Sequence, residues 1–375
     1  MKKRRVSCMV TMLAALLLCF AACTSITPVE PVVPVVPKPS SYVKTTGEFI
    51  LTADSDIAVM TDNRYDEVRG AVAEYLAAIL RGSTGFGITI MDPQDSPGDG
   101  DIVLNLGTLD GAPETYTLNI ETNNITVTAN EPAGLFRAVQ TLRQLFGPDI
   151  ESKTVVPDKT WSVACAEIAD TPAYPYRGLM IDVARHFFPK EVIMRQIDLA
   201  AAYKINKLHL HLSDDQGWRI EIKSRPALTE IGSLGAVNGD PGGYYTQDDF
   251  KEIVQYAAAR YIEVIPEIDM PGHVNAALAS IPELNKDGKA AKPRTDIEVG
   301  YSTFQCRSEV TYAFCDDVIR ELAAISPSNY FHIGGDEAHV TSQDDYRYFM
   351  GRVSEIAKKY GKTTIGWNPY ERSDG

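Results

Sequence analysis

Charged and polar residues recur at the ends of short apolar runs throughout the second half of this chain. Each run has the length of a β-strand, and the side chains that follow include carboxylates, an arginine, histidines and tryptophans. An unpaired buried charge is costly, so such a pattern at strand ends is seldom accidental. We expect these side chains to meet in one polar pocket. The stretches concerned are 182–186, 213–218, 267–273, 332–337 and 366–367.

The pair Asp336-Glu337 is the main candidate for acid–base chemistry. Neighbouring residues of a regular strand point to opposite faces, so both carboxylates can enter one pocket only if the strand ends or bends there. Gly334 and Gly335 come directly before the pair and provide that freedom. Two carboxylates held close together also favour a proton on one of them, which a general acid requires.

Three residues near these strand ends have structural alternatives. Arg185 could pair with Asp214 or Asp269 and hold strands together, His273 could be a loop histidine bonded to backbone, and Trp218 could belong to the core. Taken one at a time, these alternatives weigh about as much as a functional role. Five strand ends of the same character favour a site.

The elements that must position these residues alternate regularly after Tyr176. Strands are predicted at 178–183, 207–212, 262–268, 330–333 and 363–367, with helices at 191–203, 247–260, 310–325 and 344–360. Such alternation predicts a parallel sheet with right-handed crossovers, as in a (β/α)8 TIM barrel or a doubly wound sheet. No glycine-rich phosphate loop follows a strand, and polar residues follow several strands, so we predict the barrel for 169–375.

About five strand units of that barrel can be recognised before the chain ends at Gly375. Because closure of this barrel takes eight strands, we expect a catalytic domain that is incomplete at its C-terminus. We expect this chain by itself to be poorly soluble and inactive.

Residues 42–168 predict a small α+β domain without catalytic groups. The segment 116–129 alternates in polarity around Thr122-Asn123-Asn124 and predicts a hairpin. A helix is expected to begin near Pro132 and to end at Gly147, and another to cover 68–80.

The first 23 residues have the features of an export signal. A basic start and an apolar run precede Ala21-Ala22-Cys23, which resembles a bacterial lipoprotein signal. The resemblance implies a lipid anchor on Cys23 and a place in the cell envelope, periplasmic or at the outer-membrane surface. Secretion without an anchor is the alternative. Residues 24–41 are rich in proline and valine and predict an extended linker.

The composition restricts the partners. A formal net charge of −14 repels phosphate backbones, so nucleic acid is not expected as a partner. Beyond the signal lie Cys165, Cys306 and Cys315; the last two could pair in an oxidising compartment, or all three could be free thiols. None has the spacing of a zinc or redox site, and no metal or cofactor is expected.

Five segments resemble glycoside hydrolase family 20, the β-N-acetylhexosaminidases. They are RGLMIDVARHF at 177–187, LHLHLSDDQGWR at 208–219, EIDMPGH at 267–273, HIGGDE at 332–337 and, in the preceding domain, GLFRAVQTL at 134–142. The resemblance covers nearly everything after the linker. The combination of HIGGDE with DMPGH is specific. It implies an exo-acting enzyme that removes terminal N-acetylglucosamine or N-acetylgalactosamine from oligosaccharides.

The resemblance also implies a mechanism in which the 2-acetamido group of the substrate acts as the nucleophile, an exception to the two-carboxylate scheme. Glu337 would be the general acid and then the base. Asp336 would orient the acetamido N–H and stabilise the charge that develops there.

Four further residues receive roles from the same resemblance. Arg185 would bind hydroxyls of the terminal sugar and Trp367 would wall the acetamide pocket. Asp214 and His273 would be a pair that supports the acid. In the family, later strands supply a tyrosine, more tryptophans and an acidic residue around the sugar, and these lie beyond Gly375.

Two other functions compete with this interpretation. A metal-dependent barrel hydrolase is suggested by His209-Leu-His211, although only His273 and His332 could complete such a site. A surface lipoprotein that binds amino-sugar glycans without cleaving them is the second. Chelator sensitivity would identify the first, and the absence of turnover would identify the second.

Overall fold

The computed structural model describes residues 33–61, 64–91 and 95–367. The predicted signal, Cys23 and the first part of the predicted linker lie outside these residues. In the described part of the chain no helix is both long and apolar enough to cross a membrane.

The N-terminal half forms a six-stranded sheet with two long helices. The strand order is β1-β6-β4-β5-β3-β2. The strands are β1 Ser41–Leu51, β2 Ile57–Met60, β3 Ile102–Leu106, β4 Tyr116–Ile120, β5 Ile125–Ala129 and β6 Trp161–Asp170. The helices are α1, made of Tyr65–Glu67, a π-helical stretch Val68–Ala73 and Glu74–Thr84, and α2, Pro132–Phe146, which is followed by a 3₁₀ turn at Pro148–Glu151.

The predicted hairpin and the helix after it are confirmed. Strands β4 and β5 pair antiparallel, and every second residue is buried, which is the pattern of a sheet with one covered face. Helix α2 begins with Pro132 in its first turn and stops at Gly147, whose φ of 85° suits a residue without a side chain. Leu135, Val139 and Leu142 of its apolar face are fully buried. The helix predicted at 68–80 extends further at both ends.

The C-terminal half is a five-stranded sheet in which neighbouring strands are parallel and follow chain order. Sequential order is typical of a barrel, since a doubly wound sheet reverses its order at the middle. The strands are β7 Gly178–Asp182, β8 Lys207–His211, β9 Glu263–Glu267, β10 Tyr330–His332 and β11 Thr363–Ile365. All five were predicted to within a few residues.

Helices connect these strands and cover one side of the sheet. The long ones are α3 Lys190–Ala202, α5 Gln247–Ala258, α7 Glu309–Ile325 and α8 Gln343–Lys359, and the short ones are α4 Ala227–Glu230 and α6 Asn275–Ser280, with 3₁₀ turns at Val237–Gly239 and Pro282–Leu284. Helix α5 begins with a capping box, in which Thr246 and Asp249 are bonded reciprocally.

Charged side chains join the two halves. Glu114 accepts hydrogen bonds from Arg137 Nε at 2.7 Å and from Arg177 Nη2 at 2.6 Å. Arg137 of α2 also donates to the carbonyl oxygens of Arg260 and Tyr261. Since Arg137 is 1% exposed, this contact is a buried one.

The end of the predicted linker is packed against the folded body. Val35 is buried, and Val36 N–H donates to Gln144 Oε1 of α2 at 2.7 Å. Gln144 donates back to the carbonyl oxygen of Val36 at 2.9 Å. The last residues of the segment 24–41 are therefore not part of an extended spacer, because the apolar side chain of Val35 is buried against the folded body.

Candidate active site

The residues singled out from the sequence lie together at the carboxyl ends of the five parallel strands. His273 is central: its Nδ1 lies 3.2 Å from Asp214 Oδ1, and its Nε2 lies 3.2 Å from Glu337 Oε2 and 3.9 Å from Asp336 Oδ2. Arg185 Nη2 lies 2.7 Å from Asp214 Oδ2. Trp367 is connected to this group through Glu267, which was not among the predicted site residues.

The turn that carries Asp336 and Glu337 has an unusual backbone. Strand β10 ends at His332, and then Gly334 and Gly335 adopt φ values of 67° and 98°. A Cβ atom on Gly334 would lie 1.6 Å from Asp269 Oδ1, so no other residue fits there. Gly335 N–H donates to the same oxygen at 3.1 Å. The strand therefore ends before the pair, as expected, and both carboxylates reach His273 from one side.

Asp336 and Glu337 differ in their surroundings. The side chains are 33% and 43% exposed, so both open toward solvent. Yet Asp336 Oδ1 is buried and has no hydrogen-bond partner among the described residues. An orphaned buried carboxylate oxygen costs free energy unless a ligand supplies a donor. This oxygen can accept one hydrogen bond from a bound molecule.

The Asp214–His273 contact is strongly electrostatic. Burial alone would raise the pKa of Asp214, but the imidazoles of His211 and His273 hold that pKa well below its ordinary range. Burial would lower the pKa of His273, but Asp214 outweighs it and raises the pKa to about 9. His273 is therefore a cation at neutral pH, beside the carboxylate of Glu337.

A buried carboxyl group lies beneath the turn. Asp269 is 2% exposed, and burial raises its pKa well above the ordinary value, with Asp336 adding to the effect. The raised pKa favours the neutral form of Asp269, which binds Gly335 N–H without placing a second negative charge beneath Asp336.

Arg185 is held by carboxylates of two loops. Its Nη1 donates to Asp182 Oδ2 at 2.9 Å, in addition to the contact with Asp214. Burial would lower the pKa of Arg185, but Asp214 and Asp182 raise it. The pairing with Asp214 that the sequence allowed is thus present, while pairing with Asp269 is not among the described contacts. The guanidinium remains 29% exposed toward the opening.

The other two alternatives have opposite outcomes. His273 is bonded to side chains, so the interpretation as a backbone-satisfied loop histidine is wrong. Trp218 is a core residue: it is 2% exposed, packs edge-on against Phe314, and donates its indole N–H to the carbonyl oxygen of Ile220.

Sequence reasoning missed the group around Glu267, which is fully buried at the end of β9. Four aromatic rings each place one nitrogen 2.6–3.0 Å from one of the two carboxylate oxygens of Glu267. They belong to His209, His211, His332 and Trp367. The alternation in His209-Leu-His211 was the available signal, and it had suggested metal ligands.

These same residues contain the donor atoms for a cation. His209, Glu267 and His332 bring one ligand atom each within 4.8 Å of one another. However, His209 Nε2 is already hydrogen-bonded to Glu267 at 2.6 Å and His332 Nδ1 accepts Gly334 N–H at 3.2 Å, so both imidazoles have partners within the protein. The three described cysteines are buried and free, which answers the open question about Cys306 and Cys315 in favour of thiols.

Comparison with known proteins agrees with this geometry. The model of "Glycosyl hydrolase family 20, catalytic domain" matches residues 174–374, and that of "Glycosyl hydrolase family 20, domain 2" matches residues 32–171. A β-N-acetylhexosaminidase of Cellulomonas fimi is 42% identical over 68% of this chain and 50% of its own length.

Solved structures of similar proteins have the same fold. The family 20 β-N-acetylhexosaminidase of Streptomyces coelicolor A3(2) is 46% identical, with a TM-score of 0.85 over 90% of this chain and 66% of that one. The N-acetyl-β-hexosaminidase of Streptomyces plicatus, solved with Thio-NAglucal, is 48% identical, with a TM-score of 0.84 over the same shares of both chains.

The present chain spans about half the length of the curated relatives that it matches. Within that span the two family models together cover both halves of the described structure, the mixed sheet and the parallel sheet with its polar strand ends. The chain belongs to glycosyl hydrolase family 20.

Proposed function

We propose that this chain carries the acid–base centre of a β-N-acetylhexosaminidase, which removes terminal N-acetylhexosamine from oligosaccharides with retention of configuration. The observation that carries this proposal is the pair Asp336 and Glu337, side by side at the mouth of the sheet, with one buried oxygen of Asp336 lacking a donor. The Streptomyces plicatus relative was solved with an amino-sugar analogue, which supports the substrate class.

Glu337 is the proton donor in this mechanism. It protonates the glycosidic oxygen as the bond to the anomeric carbon breaks, and the aglycone leaves as an alcohol. The acetamido oxygen of the same sugar attacks the anomeric carbon and forms a cyclic oxazolinium ion. Glu337, now ionised and 3.2 Å from the cationic His273, then takes a proton from the water that opens the ring.

Asp336 acts on the acetamide. Its unpartnered Oδ1 is placed to accept the acetamido N–H, which orients the carbonyl oxygen toward the anomeric carbon. As positive charge grows on the acetamide, the ionised carboxylate stabilises it more than it stabilises the neutral substrate. Such an interaction, stronger in the transition state than in the ground state, increases turnover.

Arg185 and Trp367 bind the sugar in this proposal. The exposed part of the Arg185 guanidinium presents N–H groups in a planar fork, which suits neighbouring hydroxyls. Trp367 is 37% exposed, and its indole N–H is fixed by Glu267 Oε1 at 2.9 Å. A fixed indole face suits an acetamide methyl group.

Hydrolysis of an aryl N-acetylglucosaminide by the full-length enzyme tests the proposal. Glu337→Gln should lower turnover by roughly two to four orders of magnitude, and by less with an excellent leaving group.

Asp336→Asn should lower kcat while KM changes little, because the charge that stabilises the transition state is lost. Glu355→Gln, an exposed change on α8, is the matched control and should keep full activity. Binding of N-acetylglucosamine without turnover, or a sugar trapped covalently on a side chain, would contradict the mechanism.

We infer an envelope location from the N-terminal sequence alone. The basic start, the apolar run and Ala21-Ala22-Cys23 support cleavage before Cys23 and lipidation of its thiol. Mass spectrometry of the mature protein from a bacterial host should detect the lipid. A cleaved and unmodified N-terminus would indicate secretion instead.

A further inference from the structure

Ring nitrogens from three other strand units surround Glu267. It is the last residue of β9, and its side chain is fully buried. His209 Nε2 and His211 Nδ1 of β8 lie 2.6 Å and 2.7 Å from its Oε2. On the other oxygen, His332 Nδ1 lies at 3.0 Å and Trp367 Nε1 donates at 2.9 Å. One carboxylate therefore faces four ring nitrogens.

One of these rings, that of His211, also connects Glu267 with the proposed acid, Glu337, through further contacts. His211 Nε2 lies 2.9 Å from Asp214 Oδ2, and the other oxygen of Asp214 lies 3.2 Å from His273 Nδ1. His273 Nε2 then lies 3.2 Å from Glu337 Oε2. Carboxylates and imidazoles thus alternate from the inside of the sheet to the mouth of the site, with hydrogen bonds on both sides of Asp214 and ion-pair contacts without hydrogen-bond geometry at His211 Nδ1 and His273 Nε2.

We propose that Glu267 is a positioning residue for the reaction, acting on Glu337 through His211, Asp214 and His273. The proposal rests on the proposed function, in which Glu337 gives and takes the proton. Glu267 itself touches neither substrate nor reacting atoms. Its charge holds His211 as an imidazolium, and that imidazolium holds Asp214 ionised and oriented toward His273.

The surroundings of His211 support its positive charge. Its Nε2 is hydrogen-bonded to Asp214, and its Nδ1 lies 2.7 Å from Glu267 Oε2 as an ion-pair contact without hydrogen-bond geometry, so negative charge faces both sides of the ring. Burial alone would lower the pKa of His211, but Asp214 and Glu267 outweigh it and raise the pKa well above the ordinary value. Asp269 lies in the same cluster, and burial raises its pKa well above the ordinary value, which disfavours a further negative charge there.

One contact acts against this assignment. Arg185 Nη1 lies 3.2 Å from His211 Nε2, and it could donate there only if that nitrogen carried no proton. The shorter contact is with Asp214, and Arg185 Nη1 already has Asp182 as its acceptor at 2.9 Å. We therefore assign protons to both nitrogens of His211.

This arrangement fixes which nitrogen of His273 faces Glu337. Because Asp214 is ionised, it accepts the proton on Nδ1, and Nε2 is left for Glu337. The cationic His273 can donate its Nε2–H toward Glu337 once that carboxyl group has lost its proton.

Histidine NMR of the ¹⁵N-labelled full chain tests whether Glu267 keeps His211 charged. The chain has six histidines, so only a few ring signals need to be assigned. His211 should remain doubly protonated between about pH 5 and 9 in the wild type, whereas free imidazole titrates near 6.5. Glu267→Gln keeps an acceptor but removes the charge, and His211 should then titrate within that range. His209→Gln is the matched control. It removes another imidazole that contacts Glu267 Oε2 but does not contact Asp214, and His211 should stay charged.

Kinetics test whether Glu267 influences proton transfer by Glu337. In Glu267→Gln the kcat for an aryl N-acetylglucosaminide should fall about tenfold with KM little changed, and a limb of the pH profile should move by about one unit. A role limited to stability would leave the profile in place. A neutral His211 in the wild type would overturn the proposal even if the variant does not fold. An unchanged pH profile in a folded Glu267→Gln protein would overturn it as well. An inactive full-length enzyme would reject the proposed function, while the His211 spectrum would still decide whether His211 is held in its charged form.

Discussion

His273 links the electrostatics of the site to the stability of the fold. In an unfolded chain a histidine titrates near its ordinary pKa of 6.5, whereas surrounding carboxylates raise the pKa of His273 to about 9 in the folded protein. A raised folded pKa contributes stability that is fully present below the unfolded pKa and is lost as the pH rises through the folded one. His211, whose pKa is also raised, contributes in the same direction.

The free energy of unfolding should therefore fall between about pH 7 and 8.5. In His273→Gln the slope in this range should be smaller by roughly 1.4 kcal/mol per pH unit, which corresponds to one proton. Urea denaturation at several pH values measures it. His186→Gln, a change at an exposed histidine, is the control and should leave the slope as it is. Equal slopes in wild type and His273→Gln would mean that His273 is not charged in the folded state.

The sequence indicated which residues belong to the site but not how they are connected. Asp214, His273, Asp336 and Glu337 could be recognised because each follows an apolar strand. The role of Glu267 depends on register: its Cα is paired with His211 on one neighbouring strand and with His332 on the other. Register between strands is set by loop geometry and packing, which no single strand's sequence encodes.

At the scale of elements, the end of β10 is the most constrained part of the site. Gly334→Ala should destabilise the protein by more than about 2 kcal/mol and abolish hydrolysis, because it adds a left-handed backbone penalty and a clash with Asp269. Gly351→Ala is the matched control. It lies in α8 with no atom within 4 Å of the added methyl group, and should gain about 0.5–1 kcal/mol. Urea denaturation measures the free energy of unfolding of both variants. Similar changes in the two would contradict the conclusion that the turn requires glycine at position 334.

The elements differ in how readily their sequences revealed them. Strands β7 to β11 are short apolar runs between amphipathic helices, so period and spacing identify them. Strand β1 has no alternation, since it is an edge strand with most residues exposed and an irregularity between Lys44 and Glu48. Its partner β6 is more than a hundred residues away in the chain, and no local pattern predicts such a pairing.

For the whole molecule, Glu114 is the charge on which the contact between the halves depends. Burial would raise its pKa, but Arg137 and Arg177 lower it, so it is ionised at neutral pH. Glu114→Gln would leave two arginines facing each other without an anion. Removing one partner of a buried pair costs about 3–5 kcal/mol, and we expect a loss of that order.

Calorimetry at pH 7 measures this change, and two separate transitions would indicate that the halves no longer unfold together. Because a lowered carboxyl pKa contributes stability that is lost as the pH falls, the difference from wild type should shrink below about pH 4.5. Glu121→Gln, an exposed change in the same half, should have little effect. A Glu114→Gln protein as stable as wild type would show that the contact is dispensable.

The three buried thiols give this protein its own chemical reporters of unfolding. Cys165 lies in β6 of the mixed sheet, whereas Cys306 and Cys315 lie in the other half, and none is more than 6% exposed. A thiol reagent can modify such a group only when the surrounding structure opens, so its labelling rate measures the opening equilibrium of that region. Peptide mapping after timed labelling would then follow the opening of each half separately, without any engineered probe.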